Sequence, residues 1–198
     1  MSSIRSSRLL TPGNLVLSGM IAFAVGYRVL VHFAALSQLW NFMPVEAIAL
    51  FGGAYFANRK LAVAVPLIAM AVADAIIAFS LPSSQVTDWL MIVPVIYGCY
   101  ALTAFAGFSL RGRVRPLNTA IAAVTSATGF YLVTNFFVWL SGGTYPHTWN
   151  GLATCYVAGW PFYQYGTLPG TVFWSVLLFG GFALMSRRWT MLRLSAAH

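Results

Sequence analysis

The stretch "NFMPVEAIALFGGAYF", residues Asn41–Phe56, places a glutamate at the start of an otherwise apolar segment. That residue, Glu46, is one of only three acidic residues in the chain. Ala49, Gly53 and Ala57 follow it at spacings of three and four, which predicts a helix with one face of small residues. Small faces let helices approach closely in lipid, and a charged group at membrane depth turns toward the protein interior. The stretch therefore predicts a membrane helix that carries a carboxyl group into a helix bundle.

The composition of the whole chain agrees with a lipid environment. Of its 198 residues, 60% are hydrophobic and 7% are charged, whereas a soluble domain carries about 25% charged residues. The net charge of +8 comes from short basic clusters between apolar runs, a pattern that excludes a nucleic-acid-binding surface. Two distant cysteines, Cys99 and Cys155, form no metal-binding or disulfide motif and are predicted to pack as small apolar residues.

Six apolar segments approach the length of about 20 residues that a spanning helix needs. We therefore predict an all-α integral membrane protein, residues 1–198 forming a single transmembrane domain. The first segment is too long for a signal-peptide core of roughly 7–15 residues and is predicted to be retained. The approximate limits of the six predicted helices are 15–36, 43–57, 61–80, 88–110, 116–141 and 167–186.

The basic residues predict the orientation of these helices. Ten of the eleven Lys and Arg residues lie before helix 1, between helices 2 and 3, between helices 4 and 5, or after helix 6. With six crossings, all four groups fall on one side of the membrane. Because Lys and Arg concentrate in cytoplasmic loops, both termini are predicted to be cytoplasmic.

The remaining cation, Arg28, shares the predicted outer half of the membrane with Glu46 and Asp74. One interpretation is a structural ion pair of Arg28 with Asp74 or Glu46, since buried charges pair or line a wet cavity. The other is a role in binding a substrate or proton. Asn135 also needs an interior partner and is predicted to point toward the same polar centre. Asp88 is predicted to cap the start of helix 4.

The segment from Ser141 to Gly166 is predicted to be a long aromatic outer loop between helices 5 and 6, with room for a short interfacial helix. Its rings could form an aromatic belt at the headgroups. They could instead form a lid over an organic ligand, with Tyr145, His147, Trp149 and Trp160 as contacts. His147 could also ligate the metal of a bound cofactor, although a lone histidine more often makes surface hydrogen bonds. We predict no metal site, and the sequence identifies no cofactor.

Motifs for catalysis and ATP use are absent from the sequence. It contains no Walker A motif, GxSxG or HExxH. We therefore predict that the chain is not an enzyme and does not drive ATP-dependent transport alone.

Two long stretches carry a resemblance: Asn41–Phe56 with "LAVAVPLIAMAVADAIIAF" after it, and "TNFFVWLSGGTYPHTWNGLATCYVAGWPFYQYGTLPGTVFWSVLLFGG". They resemble an uncharacterised bacterial family of six-helix transport proteins and, more distantly, S components of energy-coupling-factor transporters. The resemblance implies a multi-pass protein of the bacterial inner membrane that captures a vitamin-like solute. It also implies that Ala22 and Gly26 contact a coupling subunit. The sequence departs from this family at Thr171, where an acidic residue is expected.

Together these observations predict the substrate-binding membrane component of a transporter for a small organic solute. Its polar floor would consist of Arg28, Glu46, Asp74 and Asn135, below the aromatic lid. Its partners would be the lipid bilayer, other membrane subunits and the solute. The alternative is a non-catalytic accessory subunit of a larger membrane assembly, such as a photosynthetic or respiratory complex.

Overall fold

The computed structural model describes residues 12–36, 39–141 and 143–188, without the side chains of 12–18, 83–85, 87–89 and 187–188. Arg5, Arg8 and Arg193, together with the side chains of Asp88, Arg187 and Arg188, lie outside the described part. Every regular element in the described ranges is helical. In chain order these are α1 (Pro12–Phe33), α2 (Val45–Tyr55), α3 (Arg59–Ala78), α4 (Ser83–Phe108), α5 (Pro116–Leu140), α6 (Trp149–Phe162), a π-helical turn (Tyr163–Thr167) and α7 (Leu168–Arg188).

Within the described ranges, four helical stretches are long and apolar enough to cross a membrane. They are Arg59–Ala78, Leu90–Phe108, Pro116–Leu140 and Trp149–Ser186. Two shorter apolar stretches, Gly19–Phe33 and Val45–Tyr55, lie in α1 and α2. The all-helical, membrane-type architecture is thereby confirmed, whereas six crossings with cytoplasmic termini stay a prediction.

Helix α2 is a short helix enclosed by the others. Its 11 residues extend about 16 Å, half of a hydrocarbon core of roughly 30 Å. It packs against α3, α4, α5 and α7, and residues 45–53 are all buried. Its closest approach is to α4, where a Cβ on Gly53 would meet the Ala104 carbonyl oxygen and a Cβ on Gly107 would meet that of Leu50. Glycine at these two positions therefore lets the two backbones touch.

A carboxyl group and a guanidinium group lie at the two ends of α2. Glu46 occupies its first turn. At the other end, Arg111 donates from Nε to the Gly53 carbonyl at 2.8 Å and from Nη2 to the Phe56 carbonyl at 2.7 Å. The Arg111 guanidinium also lies 4.8 Å from the Phe108 ring centroid. Arg111 complements the C-terminal end of the helix dipole and satisfies carbonyls that a helix end leaves unpaired.

The predicted long aromatic loop is instead mostly helix. Helix α6 begins at Trp149, where the side chain of Thr148 accepts from the Gly151 amide at 3.1 Å. It continues through the π-helical turn into α7, so the last helical stretch starts well before the predicted position 167. The prediction weighed the glycines, prolines and aromatic rings as loop signals. Packing against α5 outweighs them, because Tyr131 donates to the Tyr156 carbonyl at 2.6 Å and their rings are in contact.

Helix α4 also begins earlier than predicted, at Ser83 after Pro82. The backbone places Asp88 inside this helix rather than at its start, so the predicted capping role is wrong. The sequence signal misled because Asp is common at helix starts, whereas a proline just before the helix provides the actual boundary.

Candidate functional site

Arg28 and Asp74 form an ion pair between α1 and α3. Arg28 contacts Asp74 Oδ1 through Nη2 at 2.6 Å and through Nε at 2.8 Å. The hydroxyl of Tyr97, on α4, donates to the second oxygen, Oδ2, at 2.8 Å. Both carboxylate oxygens of Asp74 are therefore occupied, and three helices are joined at one buried charge.

Glu46 is equally buried but is only half satisfied. Glu46 and Asp74 are each 4% exposed. Thr171 Oγ1, from α7, donates to Glu46 Oε2. Glu46 Oε1 is buried and has no hydrogen-bond partner among the described residues. The position at which the family resemblance led us to expect an acid thus supplies a hydroxyl donor to Glu46.

The three ionisable residues predicted to form a polar floor line one cavity. Its volume is about 90 Å³, and its walls come from α1 to α5, the segment before α2 and the π-helical turn. Of the two residues Arg28 and Glu46, the first is paired with Asp74 and the second has one oxygen without a partner among the described residues. The lining residues are Arg28, Trp40, Asn41, Met43, Glu46, Met70, Asp74, Ile96, Tyr100, Phe130 and Thr167.

A second recess adjoins this cavity and contains Asn135. Its volume is about 260 Å³, and it shares Asn41, Phe130 and Thr167 with the first cavity. The Asn135 amide donates to the Tyr131 carbonyl at 2.8 Å within α5. Asn135 is therefore next to the polar cavity but is not among its lining residues. The other residues of the recess are Tyr131, Thr134, Gly159, Phe162 and Tyr163.

None of the four predicted lid residues lines either recess. Tyr145 and His147 precede α6, and His147 Nε2 lies 3.1 Å from the Trp139 carbonyl oxygen. Trp149 is 86% exposed. Trp160 packs against the rings of Tyr131 and Tyr163 and donates to Gln164 Oε1 at 2.7 Å. The structure therefore places the aromatic segment alongside α5.

Several residues of the site were missed from the sequence. Trp40 and Asn41 lie just before α2, and Tyr97 and Tyr100 are three positions apart on α4. For Trp40 and Asn41, the available signal in the sequence was a polar group close to Glu46. For Tyr97 and Tyr100, it was a pair of hydroxyl groups at helical spacing in an apolar run. Thr167 gave no separate signal, because its place depends on the unpredicted π-helical turn.

The remaining predicted residues have other surroundings. Ala22 and Gly26 lie on an exposed face of α1, and a Cβ on Gly26 would meet nothing within 4 Å. Cys99 and Cys155 are free and buried. Among the residues the structure describes, no three His, Cys, Asp or Glu side chains are grouped to hold a metal ion.

Comparison with known proteins places the chain in a family. The chain belongs to a family of unknown function, DUF6580, whose model matches residues 9–192. No curated protein and no solved structure matches it. Family membership supports the resemblance to an uncharacterised family, but it assigns no activity to the cavity.

Proposed function

We propose that this member of a family of unknown function binds a small organic solute as the membrane component of a transporter. The observation that carries the proposal is Glu46, a buried residue that lines a cavity and whose Oε1 has no hydrogen-bond partner among the described residues. A buried polar atom without a partner is costly. A bound solute that donates a hydrogen bond would remove that cost.

The charges around the cavity favour a cationic or donor-rich solute group. The charge of Arg28 is balanced by Asp74 through two contacts. Glu46 accepts one hydrogen bond from a neutral hydroxyl, so no basic side chain among the described residues forms an ion pair with it. A primary or secondary amine meets both needs, because it supplies positive charge and a donor.

The volumes suit a solute of modest size. The cavity of about 90 Å³ and the adjoining recess of about 260 Å³ together reach the lower end of the roughly 300–1,000 Å³ typical of ligand pockets. An amine at Glu46 would then be followed by an organic body near Phe130, Tyr131 and Tyr163. Apolar walls with a few polar contacts are the usual composition of such sites.

We further propose six crossings of a bacterial inner membrane with both termini cytoplasmic. The positions of Arg59 and Arg111 support this arrangement, because their guanidinium groups lie 5.5 and 4.8 Å from the same Phe108 ring. The connections before α3 and after α4 therefore lie at the same end of the bundle. This basic end would face the cytoplasm by the positive-inside rule.

The exposed small face of α1 supports a separate membrane subunit. Ala22 and Gly26 leave room for another helix to approach closely. A coupling subunit at this face would fit the distant likeness to S components. The same face would also serve the alternative, a non-catalytic accessory subunit of a larger assembly.

The test begins with the full chain purified in mild detergent and its co-purified small molecules identified by mass spectrometry. A panel of small amines is then titrated while the fluorescence of Trp40, a cavity-lining residue, is followed against a Trp40→Phe background. We expect Glu46→Gln to weaken amine binding at least about tenfold, the value of one charge-assisted hydrogen bond. Ser175→Ala is the control, because Ser175 is also buried and unpartnered but lies outside both recesses.

The result separates the two candidate functions. Equal amine binding by wild type and Glu46→Gln, or no binding by either, would contradict a solute site at Glu46. Subunits that co-purify with wild type, but not with Gly26→Leu, in the absence of any amine binding would favour the accessory subunit.

A further inference from the structure

A third, separate cavity lies between α5 and α7 at the basic end of the bundle. Its volume is about 350 Å³, and most of its walls are apolar. Positions 116, 119, 120 and 123 of α5 face positions 172, 175, 176, 179, 180 and 183 of α7 across it. Both sets follow helical spacing, so the cavity is a groove along two helices. It shares no lining residue with the Glu46 cavity.

The dimensions of the groove match one leaflet of a bilayer. From position 172 to 183 along α7 the groove covers about 16 Å at 1.5 Å per residue. Half of a hydrocarbon core measures about 15 Å. Val176 in its wall is 68% exposed, so the groove is accessible from the outer surface of the bundle. An acyl chain lying along the groove would therefore span the same depth as neighbouring lipid.

Positive charge and free hydrogen-bond donors mark one end of the groove. Arg115 lines it and is exposed, and its guanidinium makes no hydrogen bond or ion pair with another described residue. Arg115 is also the N-cap of α5 and provides no side-chain cap, so amide groups of the first turn remain available. Arginine and a helix N-terminus both favour a phosphate group.

The wall of the groove holds one unsatisfied polar atom. Ser175 is 2% exposed, and its Oγ has no hydrogen-bond partner in the described part of the chain. Ser175 is eight positions before Ala183, about 12 Å along the helix axis, so its hydroxyl lies deep in the groove and away from Arg115. The groove thus combines an apolar channel with a cationic end.

We propose that this groove binds one anionic phospholipid, with its phosphate at Arg115 and an acyl chain between α5 and α7. Arg115 then distinguishes an anionic lipid from a zwitterionic one. The apolar residues of α5 and α7 hold the chain.

The experiment uses the full chain in detergent, titrated with phosphatidylglycerol or with phosphatidylcholine of the same acyl chains and analysed by native mass spectrometry. We expect phosphatidylglycerol to bind about fivefold more tightly, the effect of one arginine at a lipid surface. Arg115→Gln should remove that preference, whereas Arg113→Gln, which removes a nearby charge outside the groove, should change it less than about twofold. Inorganic phosphate should not compete.

Two neighbouring glycines provide a steric test. A Cβ on Gly180 or on Gly181 would meet nothing within 4 Å, but only Gly180 of these two lines the groove. Gly180→Leu should weaken phosphatidylglycerol binding about tenfold by displacing roughly two methylenes of the chain. Gly181→Leu should leave binding unchanged. Equal effects of the two glycine variants, equal effects of the two arginine variants, or competition by free phosphate would overturn the proposal.

Discussion

The surroundings of Asp74 and of Glu46 differ although both carboxyl groups are equally buried. Asp74 accepts from Arg28 and Tyr97 and has both oxygens occupied. Glu46 lines a cavity, accepts from Thr171 and has one oxygen without a partner among the described residues. A buried charge with complete partners stabilises a fold only when all of them are present. A buried carboxyl oxygen without a partner is costly, which supports the proposal that Glu46 binds a solute.

The helices that carry the two groups differ in the same way. Asp74 lies late in α3, which is 20 residues long, and its partners come from two further helices. Glu46 lies in the first turn of the short α2, which is held by backbone contact with α4 and by Arg111 at its far end. We therefore expect changes at Asp74 to act on folding and changes at Glu46 to act on binding.

The largest expected effect belongs to Asp74→Ala. It leaves Arg28 without its ion-pair partner, and the loss of one partner of a buried pair lowers the free energy of unfolding by about 3–5 kcal/mol. Urea unfolding in mild detergent measures it. The double variant Arg28→Leu with Asp74→Leu should recover most of the loss, because no uncompensated charge remains. Wild-type stability of the single variant would show that the pair has no structural role.

The next largest effect on stability is expected from a change at the backbone contact between α2 and α4. Gly107→Ala places a Cβ against the Leu50 carbonyl oxygen and should lower the free energy of unfolding by about 1–3 kcal/mol through overpacking. Gly98→Ala, in the same helix with nothing within 4 Å of the new Cβ, should raise it by about 0.5–1 kcal/mol. Thermal unfolding of both variants measures the difference. Identical melting temperatures would contradict the close approach.

The two carboxyl groups can be compared directly by removing the side-chain hydroxyl that donates a hydrogen bond to each of them. Thr171→Val takes away the hydrogen bond that Glu46 receives and should lower the free energy of unfolding by about 1–2 kcal/mol, because a buried group is left unsatisfied. Tyr97→Phe removes one of several contacts of Asp74 and should cost about 0.5–1 kcal/mol. Parallel denaturant titrations measure both. A greater loss for Tyr97→Phe would reverse the comparison.

The smallest effect on stability is expected for Glu46→Gln, at less than about 0.5 kcal/mol. The amide oxygen can still accept from Thr171, and Oε1, which the amide nitrogen replaces, has no partner among the described residues to lose. Thermal unfolding without added solute measures it. A loss as large as that of Asp74→Ala would show that Glu46 is a structural group, and the proposed solute site would then lack its main support.

The sequence predicted the helical membrane architecture well but misjudged its aromatic segment. The architecture was predictable because the low number of charged residues and the length of the apolar segments can be read directly from the sequence. Helix α6 depends on contacts of Tyr131 and Asn135 with residues about twenty positions later. Glycine at 159, where a Cβ would meet the Asn135 side chain, is a packing feature in the structure, although it resembles a loop signal in the sequence.

The candidate site was also predicted only in part, because some of its residues give a local signal in the sequence and others depend on contacts between distant segments. Arg28, Glu46 and Asp74 stood out because ionisable residues are rare in lipid, and the structure places all three on one cavity. Trp40 and Asn41 precede α2, and Thr167 ends the π-helical turn. Local sequence patterns do not fix the positions of these segments. The proposed lid was chosen from the length and aromatic content of a predicted loop, without knowledge of the face that α6 turns toward α5.

The sequence by itself determined that this is a membrane-type helical protein whose few ionisable residues face the interior. The reason is that a charged side chain is costly in lipid and therefore turns toward other polar groups of the protein. The tertiary structure decided which of two acids pairs with Arg28, and which keeps an oxygen free. That choice depends on distances of a few ångströms between helices remote in sequence, a quantity that residue spacing along one helix does not contain.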